Sequence, residues 1–127
     1  MINVIAEFSR GAEKIWKLLN TQGPISQTRL MNITMLNEQS FYGAIGWLAR
    51  ENKINRNGAI YKLGPTNLTD KIGSDAGKIW TLLSSLKEVD ISAISKLSQI
   101  NEADAYSALG WLAREEKIES KNMIVMK

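Results

Sequence analysis

Arg29, Lys53, Arg56 and Lys62 are the side chains whose type and spacing most clearly suit a chemical task. Guanidinium and ammonium groups gathered in one part of a chain can hold the phosphates of a duplex through charge-assisted hydrogen bonds. Residues 1–63 carry 8 Lys and Arg against 4 Asp and Glu, a balance of +4, whereas residues 64–127 carry 8 against 9, a balance of −1. The basic set is therefore confined to the first half, and ordinary solvated cations are the alternative reading of it. The overall formal charge of +3 is a mild bias, too small by itself to mark a nucleic-acid protein.

Other chemistry is limited by what the chain lacks. It has no histidine and no cysteine, so imidazole bases, thiolate nucleophiles, disulfides and the common zinc sites are excluded. An enzyme built from these residues would need carboxylate, lysine or cofactor chemistry. Glu51, Glu115 and Glu116 follow Arg50 and Arg114 as a solvated charge run, and no pair of carboxylates marks a cleft. Gly73-Ser74-Asp75-Ala76-Gly77-Lys78 has the composition of a phosphate-binding loop without its spacing, and reads instead as a helix start. We expect no enzyme, no cofactor and no metal. No segment approaches the roughly 18 to 20 apolar residues that span a bilayer, and the start does not read as a secretory leader. The expected setting is cytoplasmic, without membrane contact.

The elements that must position these residues come in two copies. Sliding the chain by 64 residues lays Ala12-Glu13-Lys14-Ile15-Trp16-Lys17-Leu18-Leu19 on Ala76-Gly77-Lys78-Ile79-Trp80-Thr81-Leu82-Leu83. The same shift lays residues 42–54 on residues 106–118, and about 20 of 63 paired positions are identical. Two copies are too few for a solenoid, so a duplicated small domain is expected, with boundaries at 1–63 and 64–127.

Each copy reads as three helices and a hairpin. Ala12, Ile15, Trp16 and Leu19 follow helical spacing up to a stop at Gly23-Pro24, which makes Trp16, and likewise Trp80, core residues. Ser74 or Asp75 should begin the equivalent helix of the second copy. Ser26 and Asp90 suit the caps of a short second helix, with Leu30 and Ile33, or Ile94 and Leu97, turned inward. Asn37 and Asn101 suit the caps of a third. A hairpin follows, with a turn at Asn57-Gly58 in the first copy and near Lys121-Asn122 in the second. The fold class is mainly α with small β-hairpins: tandem winged helix-turn-helix domains, a three-helix bundle plus wing, twice. The junction Leu63-Gly64-Pro65-Thr66-Asn67 is too short and too rich in turn formers to be a loose tether, so the copies should touch.

Ala76-Gly77-Lys78-Ile79-Trp80, together with the Tyr-x-Ala-Leu-Gly-Trp-Leu-Ala-Arg-Glu-x-Lys-Ile pattern at 106–118, resembles a bacterial and archaeal winged helix-turn-helix family of unknown function. The resemblance covers nearly the whole chain, once per half, although members of that family usually hold a single copy. The first copy departs only by Glu13 and Ile45. The resemblance implies architecture and leaves function open.

The third helix bears on that question. Opposite Phe41, Ile45 and Leu48 lies a face of Gln39, Gly43, Gly46 and Arg50, flanked by Tyr42 and Trp47. The second copy repeats it with Ala103, Ser107, Gly110 and Arg114 beside Tyr106 and Trp111. A helix that reads bases needs long polar side chains on this face. Small residues with flanking aromatics suit close helix packing instead, and mid-helix glycine at about 1 kcal/mol calls for a packing reason. Tyr42, Gly43, Gly46, Trp47, Tyr106, Gly110 and Trp111 are therefore candidate interface residues, most simply between the two copies as a pseudo-dimer. The alternative is that the tryptophans fold back onto their own domain. Two functions follow: weak or non-specific duplex DNA association through the first copy, with a role in transcription, or self-association and protein partnership through the third-helix faces.

Overall fold

The computed structural model describes residues 3–127. The first repeat holds α1 (Val4–Gln22), β1 (Ile25–Ser26), α2 (Gln27–Thr34), α3 (Glu38–Arg50), β2 (Ile54–Asn57) and β3 (Ile60–Leu63). The second repeats the order as α4 (Thr69–Leu86), β4 (Glu88–Val89), α5 (Ile91–Ser98), α6 (Glu102–Arg114), β5 (Ile118–Ser120) and β6 (Ile124–Met126). Mainly helical repeats with small antiparallel sheets make this a tandem winged helix-turn-helix protein.

The helix starts follow from side chains that satisfy orphan backbone donors. Asn37 Oδ1 accepts from the Ser40 amide at 2.8 Å and Asn101 Oδ1 from the Asp104 amide at 2.9 Å. Ser26 and Asp90 cap α2 and α5 in the same way. Gly23, at φ +78, ends α1 by turning its amide back to the Leu19 carbonyl. The helix α4 begins at Thr69, ahead of the expected Ser74 or Asp75. Asp75 lies buried within it, in ion-pair contact with Lys71 Nζ at 3.1 Å but without a well-aligned hydrogen bond to that oxygen.

Three inward assignments are corrected. Ile33 and Leu97 are exposed, because each eight-residue second helix turns only one apolar side chain, Leu30 or Ile94, fully into its core. Trp16 is 37% exposed, while Ile15 and Leu19 beside it fill the core. Trp80 is half-buried against the second core.

The wings differ by one residue of register. In the first, strand order is β1-β3-β2, Ile25 faces Tyr61, and Asn57 pairs with Ile60. That pairing draws Asn57 into β2 and moves the turn one position on, to Gly58-Ala59, with Gly58 at φ +62. In the second, Val89 faces Ile124, although the 64-residue offset would set it against Val125. A one-residue slip exchanges the faces of a strand: Ile60 is exposed but its counterpart Ile124 is buried. The two-residue strands β1 and β4, which complete each sheet, are too short to leave an alternation in the sequence.

Tyr61 anchors the first wing. It is 1% exposed, donates to Gln27 Oε1 at 3.2 Å, and Gln27 Nε2 in turn donates to the Tyr42 hydroxyl at 2.8 Å. Burial, partly offset by Arg56, pushes its phenol up to about 12. A raised phenol pKa adds stability that is complete below the unfolded value near 10 and is lost as pH rises through the folded value. Chemical denaturation between pH 9 and about 12 should therefore show a loss of roughly 2 to 3 kcal/mol that is absent from Tyr61→Phe.

The two cores exchange residues. Phe8, from α1, is fully buried in the core of the second repeat, with Val4 and Ile5 packed against the same cluster. Its counterpart 64 positions on, Ile72 of α4, is 6% exposed in the core of the first repeat, beside Leu68. The junction between repeats is tied down as well. Asn67 accepts from the Arg56 amide at 3.0 Å and donates to its carbonyl at 2.6 Å, covering the outer edge of β2. Asn52 Oδ1 accepts from the Thr66 amide at 2.9 Å.

Candidate interaction site between the third helices

The helices α3 and α6 cross with backbone against backbone. A Cβ at Gly46 would lie 1.8 Å from the Ser107 carbonyl oxygen, and one at Gly110 would lie 1.8 Å from that of Gly43. Ser107 is the counterpart of Gly43, so the two contacts are related by an approximate two-fold axis. The Ser107 hydroxyl donates to the Tyr42 carbonyl at 3.2 Å. On its far side, Gly43 makes room for the Phe8 ring, 2.1 Å from where a Cβ would stand. Gly43 and Gly46 are thus spaces for one backbone and one aromatic ring.

A reciprocal clamp surrounds this crossing. Arg50 Nε donates to Glu115 Oε2 at 3.0 Å and Arg114 Nε to Glu51 Oε2 at 3.0 Å. The Arg50 guanidinium stands 5.6 Å from the Trp111 ring, and that of Arg114 stands 5.9 Å from Trp47. Both tryptophans are half-buried and pack against both cores. Glu51 and Glu115 are therefore not a solvated run: their side chains are 17% and 18% exposed and bind across the repeats. Glu116 remains exposed. The identical Arg-Glu pairs at 50–51 and 114–115 were the available signal. Tyr106 is half-buried, and its phenol is raised by burial and then by the Glu102 carboxylate, with Glu38 of the first repeat adding to it.

The four basic candidates are not brought into one strip. Arg29 is exposed in the first turn of α2, beyond β1. Lys62 is exposed on the outward face of β3, opposite Asn55. Arg56 pairs with Tyr61 and so shares the other face of the wing, its guanidinium 5.4 Å from that ring and its Nε donating to Gly58 O at 2.8 Å. Lys53 belongs to the clamp, 3.6 Å from Glu51.

Both repeats thus define a winged helix-turn-helix protein, and comparison with known proteins gives the family. A model of the winged helix-turn-helix domain (DUF2582) matches residues 9–62 and again residues 68–124. The chain belongs to that family and holds two tandem copies of its domain. No curated protein and no solved structure matches the chain. No helix among the described residues is long and apolar enough to cross a membrane. No group of three or more potential metal ligands occurs among the described residues.

Proposed function

We propose that this chain is a non-enzymatic winged-helix module in which the third helices serve assembly instead of base reading. The observation that carries this reading is the approach of Gly46 to the Ser107 carbonyl and of Gly110 to that of Gly43. A base-reading helix must offer its face to the major groove. Here that face is filled by the opposite repeat, and the exposed residues of α3 reduce to Glu38 and Arg50, the latter already paired with Glu115. The result is a fused pseudo-dimer, the two-fold arrangement that separate copies of such a domain would form by association. Sedimentation of the full chain should give a single species near its 14.2 kDa mass. Trp47→Glu with Trp111→Glu should expand it or cause it to self-associate, and unchanged sedimentation would count against the reading.

The charge asymmetry favours a second reading, non-specific contact with duplex DNA through Arg29, Arg56 and Lys62 of the first repeat. Such binding rests on counterion release and weakens with salt in proportion to the number of phosphates met. Fluorescence anisotropy on a random duplex should show binding at about 50 mM salt, with little dependence on sequence. Absence of binding there removes the DNA reading and leaves the assembly reading standing.

A further inference from the structure

Beside the clamp, α1 and α3 enclose an open cavity of about 490 Å³, within the range of small-molecule sites. Its walls include Ala12, Trp16, Trp47 and Leu48 from the first repeat, with Lys53 and Arg114 at the charged end. The duplication supplies a matched reference. The equivalent cavity of the second repeat, lined by Ala76, Trp80, Trp111 and Leu112, is about 250 Å³. There the Lys117 ammonium stands 5.5 Å from the Trp80 ring. No cation stands over the Trp16 ring among the described residues, and the ring is 37% exposed at the cavity wall.

We propose that the Trp16–Trp47 cavity is a binding site for a small planar aromatic carboxylate, its ring against Trp16 and its carboxylate toward Arg114 and Lys53. Arg114 spends only Nε on Glu51, and its terminal nitrogens donate to no described residue. The fork of a guanidinium suits a carboxylate, and an offset ring stacks on an exposed indole. Charge decides against an organic cation. At the charged end Lys53 and Arg114 share the single carboxylate of Glu51, whereas Glu13 on the α1 wall is paired with Lys17, so that end carries one cation more than it has carboxylates. The site goes beyond the assembly reading but shares Arg114 with the clamp, so occupancy bears on how firmly the repeats are held.

The test is an NMR titration of the full chain with 2-naphthoate, reading the four tryptophan indole N–H signals, with 2-naphthalenemethanol and 2-naphthylmethylammonium as neutral and cationic counterparts. The expected result is a saturable shift of the Trp16 signal by the carboxylate, at least about tenfold tighter than by the alcohol, with the ammonium weaker still. Trp16→Ala, at an exposed position, should weaken binding about tenfold or more with its circular dichroism unchanged, and Trp80→Ala should leave it unaffected. Lys53→Gln offers a second arm: the advantage of the carboxylate over the alcohol should shrink. Equal binding of alcohol and carboxylate, no saturable shift, or undiminished binding by Trp16→Ala would each overturn the proposal. The site needs Arg114 of the second repeat and so rests on the packing of α3 against α6, which sedimentation reads separately: an intact single species with no saturable shift overturns the site alone and leaves the assembly reading standing.

Discussion

Replacing Gly46 by alanine is expected to destabilise the chain by about 3 kcal/mol or more and to lower its melting temperature by roughly 10 °C. The added methyl would stand 1.8 Å from the carbonyl oxygen of Ser107, a backbone atom held within α6 that no rotamer change can move. The helices must separate, and the hydrogen bond from Ser107 to Tyr42 and the two Arg-Glu pairs lie along the same crossing. Helix propensity works in the opposite direction, since alanine is favoured over glycine by up to about 1 kcal/mol. Gly77 isolates that term. It lies within α4 with nothing within 4 Å of its would-be Cβ, so Gly77→Ala should raise stability by about 0.5 to 1 kcal/mol. Opposite signs for the two substitutions, measured by thermal and chemical denaturation, are the expected result. A neutral Gly46→Ala would mean that the repeats do not pack through α3 and α6 in solution.

Phe8→Ala is expected to cost about 3 to 5 kcal/mol, the range for emptying a buried aromatic site. Its ring is fully buried in the core of the second repeat although it belongs to the first. The loss should therefore appear in probes of both halves, and the unfolding transition should stay single. Gly43 provides a check on the geometry, because a methyl there would meet the Phe8 ring at 2.1 Å. Gly43→Ala should be strongly destabilising in the native background and much milder alongside Phe8→Ala, where the new methyl enters vacated space. A double-mutant cycle should return a coupling above about 1 kcal/mol. Additive effects would show that the ring does not rest on Gly43.

The sequence made local chemistry readable and tertiary ownership unreadable. Asn37, Asn101, Ser26 and Asp90 could be placed as caps because a cap involves only a side chain and the amides of the next turn. Gly46 and Gly110 could be read as positions with a packing need, since mid-helix glycine is costly. Which carbonyl each admits could not be read. Periodicity says that a side chain faces inward without saying whose core it enters, so Phe8 and Ile72 gave no sign of their exchange. Trp16 shows the same limit from the other side: its spacing suits a core, but Ile15 and Leu19 occupy that core and the larger ring is left at its margin. Glu51 and Glu115 passed for solvated charges because their arginine partners lie 63 to 65 positions away. The wing slip escaped a gapless comparison because a loop of three residues, at 121–123, replaces the two at 58–59.

The exchange of Phe8 and Ile72 sets an order on vectorial synthesis. When Leu63 leaves the ribosome, all three helices and the wing of the first repeat exist, yet its core still lacks Ile72. Phe8 has no cavity to enter until α6 and the strands β5 and β6 have followed. The nascent first half must wait as an incomplete globule with an apolar ring and a glycine-lined helix face unsatisfied. Two separate polypeptides cut between the repeats should by the same logic restore a native fold on mixing, each supplying the residue the other lacks.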